Sequence, residues 1–152
     1  MNENRARDRA KQVVAELHIR GKVDIEAVAE HYGMVIDTVD MVGKRVQEVT
    51  IGNRITVRST LGYRRRRWAI AHGLGHAFLH PTGNHVWLQD SEDRRSLYNE
   101  YEHEAEDFAH ELMVGTDKYQ HTYSRLADAV EIAAHYGVPL DKATSHPLGG
   151  FV

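Results

Sequence analysis

Apolar residues recur at helical spacing near both ends of the chain and alternate with polar residues between them. The first periodic segment, residues 3–18, predicts a charged amphipathic helix. Its apolar side consists of Ala10, Val13, Val14 and Leu17. Asp24 is placed to cap a second helix, which runs through Tyr32 and is closed by Gly33.

The middle of the chain has the period of β-strands. Residues 34–42 alternate, and residues 46–58 predict a hairpin because two β-rich runs flank the turn pair Gly52-Asn53. A helix is expected from about Gly62 to His80, where Pro81 stops it. Residues 85–89 form a candidate short strand.

The last third is helical again. Residues 97–114 predict a strong helix, residues 122–136 predict another that Gly137 closes, and residues 138–147 predict a short final turn or helix. Helices therefore flank a small sheet. We expect an α+β fold in which a small antiparallel sheet packs against helices, with residues 1–152 forming a single domain.

Composition narrows the class of protein. The chain is 41% hydrophobic and 27% charged, and it has no cysteine and no apolar run long enough to span a bilayer. Residues 1–22 are charged throughout, without the apolar core that is expected of a signal peptide. We therefore expect a cytoplasmic protein without a membrane partner. The net charge of −3 predicts no direct binding to nucleic acid.

The arginine run 64–67 is expected to be a solvated helix turn. Trp87 and Tyr98 are expected either to edge a cleft or to pack in the core.

Eleven histidines are the one unusual count, and two of them have the spacing of metal ligands. His72 and His76 lie four residues apart, so a helix directs both imidazoles to one side, where they can share a cation. A chance pair at this spacing is expected about once in such a chain, so the spacing alone leaves metal binding open. His80 lies about 12 Å along the axis from His72 and is expected to support or pack rather than bind.

The second candidate element is the acidic helix 97–114. Glu104 shares an apolar stripe with Tyr101, Phe108 and Leu112, which favours a ligand or a buried ion pair at this position. Glu102 and Glu106 are expected on the opposite side. A rival metal trio, His103, Asp107 and His110, has more polar neighbours, and we expect it to be a solvated face.

These two segments together resemble a known family. The run "RRRWAIAHGLGHAFLH", followed by "EAEDFAHELMV", is similar to the motifs of the ImmA/IrrE metallo-endopeptidases of bacteria and phages. The resemblance implies a zincin-like core, a helix-turn-helix repressor as protein partner, an origin near mobile elements, and a zinc ion held by His72, His76 and Glu104.

The chain departs from the family pattern at Gly73, where the family has the general-base glutamate of His-Glu-x-x-His. A glutamate there would be expected to project beside the reacting water, and a positioned base contributes about 10²–10⁴ in rate. Glu100 is a weak candidate for a substitute. We therefore expect a zinc endopeptidase with impaired catalysis or, alternatively, an inactive zinc-binding pseudopeptidase that acts as an interaction module. A metal-free interaction domain is a third reading.

Overall fold

A computed structural model describes residues 4–40, 46–88, 97–115 and 126–144. Its elements, in chain order, are α1 (Arg5–Glu16), α2 (Ile25–His31), β1 (Val35–Val39), β2 (Val46–Ile51), β3 (Arg54–Arg58), α3 (Tyr63–Leu79), β4 (Asn84–Leu88), α4 (Leu97–Met113), α5 (Leu126–Tyr136) and α6 (Leu140–Thr144). The predicted α+β class is confirmed. Within the predicted segments, residues 3, 41–42, 89, 122–125 and 145–147 lie outside the described residues.

The sheet has four strands in the order β1-β3-β2-β4, and it is mixed rather than wholly antiparallel. Strands β2 and β3 form the predicted hairpin, with Gly52 at a φ of 59° in its turn. Strand β4 pairs antiparallel with β2, whereas β1 pairs parallel with β3. Strand β4 occupies one edge of the hairpin, beside β2, and β1 occupies the other edge, beside β3.

Local signals at the helix ends agree with the sequence. The Asp24 carboxylate accepts a hydrogen bond from the Ala27 amide at 3.2 Å, which caps α2 as predicted. Gly33 follows that helix with a φ of 79°, a left-handed conformation that glycine adopts without strain.

Helix α3 forms the centre of the core. Its buried apolar residues include Trp68, Ile70 and Leu74, and it packs against both the sheet and α4. A Cβ at Gly75 would lie 3.2 Å from the Cα of Ala105 on α4, so two small residues allow these helices a close approach. This contact sets the distance between the two elements that carry the candidate ligands.

The arginine run holds the start of α3 in place. The buried Arg67 donates hydrogen bonds to the carbonyl oxygens of Val23, Tyr136 and Gly137 at 2.8–3.0 Å. Arg65 pairs with Asp141 at 2.8 Å. The expectation of a solvated turn is therefore wrong for Arg67, because backbone carbonyls from two other segments replace its water.

Within the described residues, no helix has the length and apolar character needed to cross a bilayer.

Candidate metal centre

Helix α3 brings the two imidazoles predicted from the sequence to the same place. His72 and His76 are both fully buried, and their rings meet edge to face with centroids 4.8 Å apart. His72 also stacks on Trp87 of β4 at 5.0 Å, and His76 stacks on His85 at 4.3 Å. The aromatic neighbours fix both rings and exclude water from around them. Trp87 is therefore a buried wall of this site.

The carboxylate that reaches the pair belongs to Glu102. Its two oxygens lie 2.9 Å from Nε2 of His72 and 3.0 Å from Nε2 of His76. Among the described residues, His72, His76 and Glu102 are the one group of three or more metal-binding side chains whose ligand atoms all lie within 4.8 Å of one another. Two imidazoles and a carboxylate are the His₂Glu donor set of open zinc sites.

Glu104, which the family resemblance assigns to the histidine pair, lies elsewhere. It accepts hydrogen bonds from Arg5 of α1 at 2.9 Å and from His80 at 2.8 Å. The physical reason is that α4 packs between α1 and α3, so that it has two covered sides. Glu104 faces α1 and the end of α3, while Glu102 faces the middle of α3. A single apolar stripe does not distinguish these two sides.

Glu104 nevertheless connects to the site through His80. The Nδ1 atoms of His76 and His80 lie 3.0 Å apart, and burial lowers the pKa of both rings, which favours their neutral forms. If His80 donates from Nε2 to Glu104, its Nδ1 accepts the proton of His76 Nδ1. Nε2 of His76 then carries a lone pair that faces a Glu102 oxygen.

In that tautomer, Nε2 of His76 and the Glu102 oxygen are two hydrogen-bond acceptors 3.0 Å apart, and a cation between them would satisfy both. Nε2 of His72 gives the same indication. It is buried and makes no aligned hydrogen bond within the described part of the chain, although a Glu102 oxygen lies 2.9 Å away. Burying unpaired polar atoms is costly, so the residues present fit a metal ion.

Comparison with known proteins identifies the family of this chain. The family described as the IrrE N-terminal-like domain, Peptidase_M78, matches residues 29–144. The chain belongs to this family. An "uncharacterized immunity region protein 2" of Bacillus phage phi105 is 35% identical over 94 residues, which span 59% of this chain and 55% of the phage protein. The chain thus spans little more than half the length of that relative.

The resemblance to the ImmA/IrrE proteins is thereby confirmed, and Peptidase_M78 membership implies a metal. The matched residues include α3 and most of the described chain around it, so His72, His76 and Glu102 all lie inside the family segment.

In this Peptidase_M78 member, Gly73 lies directly against the sheet. A Cβ there would lie 2.6 Å from Thr50 Oγ1, 2.7 Å from Glu48 Oε1 and 2.8 Å from Ile55 Cγ2. The side-chain direction at position 73 is therefore filled by β2 and β3. The expectation that a glutamate at this position would project beside the reacting water does not fit this chain, because that direction is occupied.

Glu48 of β2 is the residue that sequence reasoning missed. It is fully buried, and its Oε1 lies 3.3 Å from Nδ1 of His72, on the ring edge away from Glu102. The one available signal was that Glu48 and Thr50 occupy alternate positions of a strand and so share a face. Nothing in the sequence related that face to His72.

The electrostatics follow from burial among carboxylates. Burial lowers the pKa of His72, but Glu102 and Glu48 outweigh it and raise the pKa to about 10. Burial prevails for His76 and lowers its pKa to about 4. Burial opposes the charge on Glu102, yet its contacts with the two histidines hold its pKa well below the ordinary value. Burial raises the pKa of Glu48.

The other candidates lie apart from this centre. His103 is exposed, His110 is buried against Trp68, and Asp107 contacts Arg7 at 3.5 Å, so the rival trio does not converge. Glu100, the candidate substitute base, is exposed on α4. The side chain of Tyr98 lies outside the described residues.

Proposed function

We propose that this chain binds one zinc ion through His72, His76 and Glu102, and that the loaded site recognises a protein partner. The observation that carries the proposal is the convergence of both Nε2 atoms on the two Glu102 oxygens at 2.9–3.0 Å. Family membership supports the metal, and the donor set supports zinc over harder cations, which prefer sites made of oxygen ligands alone. Glu102 replaces Glu104 in the ligand set that we propose.

A bound zinc ion supplies Lewis acidity, which polarises a peptide carbonyl. The chain's own residues hold that centre in place: Trp87 and His85 pack on the imidazole rings, and Nδ1 of His80 lies 3.0 Å from Nδ1 of His76, within hydrogen-bond distance. No carboxylate at position 73 is available to take a proton from water. We therefore infer weak or absent hydrolysis, since a positioned base contributes about 10²–10⁴ in rate.

The proposed partner is a helix-turn-helix repressor, and the support is a relative whose name places it in a phage immunity region. Gly73 favours a second candidate function, an inactive pseudopeptidase that binds the repressor without cutting it. Both candidates share the metal and the partner, and they differ only in turnover.

The metal is tested by elemental analysis of protein purified without chelator. We expect about one zinc per chain, and we expect His76→Ala to lose it. His135→Ala is the matched control, because His135 is an exposed histidine on α5. If the His76→Ala variant retains as much zinc as the His135→Ala variant, the proposed ligand set is incorrect.

The partner is tested with helix-turn-helix repressors encoded by genes that neighbour the gene of this chain. Binding is followed by calorimetry and cleavage by mass spectrometry, with and without zinc. We expect binding with slow or no cleavage, and any cleavage should disappear in His76→Ala. Rapid zinc-dependent cleavage would contradict impaired catalysis, and a repressor that neither binds nor is cut would contradict the partner.

A further inference from the structure

The buried carboxylate of Glu48 is not one of the proposed metal ligands. It lies on β2, fully buried, with Oε1 at 3.3 Å from His72 Nδ1 and Oε2 without a hydrogen-bond partner in the described part of the chain. A buried carboxylate is destabilising unless it is paired, so its presence under α3 calls for a function.

The proton inventory of His72 gives Glu48 one. A neutral imidazole carries one N–H, and a nitrogen that binds a metal carries none. If Nε2 faces Glu102 as a ligand, the proton must lie on Nδ1, and Glu48 Oε1 is the acceptor within reach. A carboxylate on the second nitrogen fixes both the tautomer and the orientation of a ligating histidine.

The glycine at position 73 fits the same arrangement. A Cβ there would lie 2.7 Å from Glu48 Oε1, so a larger residue would compete with the carboxylate for one space. Glu48 is not placed to replace the missing base directly, because it meets the Nδ1 edge of the His72 ring, whereas the ligand atoms converge on the Nε2 edge.

We propose that Glu48 is a positioning residue that holds His72 in its metal-binding tautomer, and that Gly73 leaves room for its carboxylate. The role rests on the proposed metal function. It assigns a purpose to a strand residue outside both family motifs, and it predicts that metal affinity depends on an acceptor at position 48.

The test compares Glu48→Gln with Glu48→Met in the full chain, by titration with Co²⁺ followed through its visible absorption. The two uncharged replacements have similar volume, but only glutamine keeps an oxygen that accepts from Nδ1. We expect Glu48→Gln to bind Co²⁺ within a few-fold of the parent and Glu48→Met to bind about 10–100-fold more weakly. Equal affinities of the two variants would overturn the positioning role, whatever their common value.

Two controls separate folding and function from positioning. Gln47→Met changes the neighbouring β2 residue, which lines a cavity with Arg58 and Arg65, and its Co²⁺ affinity should equal that of the parent. Thermal unfolding of each metal-free variant shows whether it folds. If Glu48→Met does not fold, the ¹⁵N shifts of His72 in the zinc-loaded parent and zinc-loaded Glu48→Gln decide: Nδ1–H in both supports the role, and Nε2–H in the zinc-loaded parent overturns it. A parent that folds but binds no Co²⁺ would overturn the metal function and the positioning role together, whereas equal binding by folded Gln and Met variants would overturn the positioning role alone.

Discussion

At Gly73, helix α3 lies directly against side chains of β2 and β3. Two of the three atoms that an added Cβ would approach, Thr50 Oγ1 and Ile55 Cγ2, belong to β-branched side chains with restricted rotamers. The third, Glu48 Oε1, is the end of a flexible side chain, but it already contacts His72. Glycine at this position is thus a packing requirement of this chain as well as the absence of a base.

The first prediction concerns the size of residue 73. Gly73→Ala gains up to about 1 kcal/mol of helix propensity, but crowding a filled core costs about 1–3 kcal/mol. We expect a net loss of about 1 kcal/mol, which lowers the melting temperature by about 2–4 °C. Thermal unfolding of the metal-free protein measures it. Gly62→Ala is the control, since nothing lies within 4 Å of a Cβ there. A Gly73→Ala variant that melts above the parent would show that the space is free.

At the scale of elements, α4 decides which carboxylate meets the histidines. Its Glu102 side contacts α3 through His72 and His76, and its Glu104 side contacts α1 through Arg5. Both sides are covered, so amphipathicity does not report which one faces the site.

The second prediction compares these two carboxylates. Glu102→Gln removes a charged ligand and should weaken zinc binding by more than about 100-fold, beyond the range typical of supporting residues. Glu104→Gln acts only through His80 and should weaken it by about 10-fold or less. Glu100→Gln, on the exposed side of the same helix, should have no effect. Competition titration with a chromophoric chelator measures all three. If Glu104→Gln has the larger effect, the carboxylate of the site is the one that the apolar stripe first suggested.

The sequence predicts those parts of the site that depend on one element, and it does not predict those that depend on packing between elements. The spacing of His72 and His76 follows from helix geometry, and the structure brings them together as expected. Glu102 depends on how α4 rotates between two neighbours, and Glu48 depends on the register of β2 under α3. The parallel pairing of β1 was missed for the same reason, because β4 and the hairpin determine it.

For the whole molecule, a metal at this site joins α3 to α4 and so couples binding to folding. The ligands come from two helices whose close approach at Gly75 and Ala105 is part of the core. A ligand that binds only the folded state at 100 times its Kd adds about 2.7 kcal/mol to the free energy of unfolding. The stability of the protein should therefore depend on free metal.

The third prediction follows from that coupling. Chelator should lower the melting temperature of zinc-loaded protein by about 5–11 °C, if zinc was present at about 100 times its Kd. His76→Ala should melt at a lower temperature than the loaded parent and should no longer respond to chelator. The His135→Ala control should respond like the parent. An unchanged melting curve for verified zinc-loaded parent would contradict the coupling.

The fourth prediction concerns protons. In the metal-free protein the pKa of His72 is raised to about 10 by Glu102 and Glu48 despite its burial, and the pKa of His76 is lowered to about 4. At pH 7.5 His72 therefore holds an extra proton and His76 does not. A raised pKa stabilises the folded metal-free state fully below the unfolded value of about 6.5, and this contribution is lost as pH rises towards 10.

Metal competes with the extra proton of His72, so zinc affinity should rise about tenfold per pH unit between pH 7 and 9, with about one proton released per ion. Calorimetry at pH 7.5 in two buffers of different ionisation enthalpy measures the release. If zinc binds without releasing a proton, His72 is already neutral in the free protein, and the two carboxylates beside it do not hold its charge.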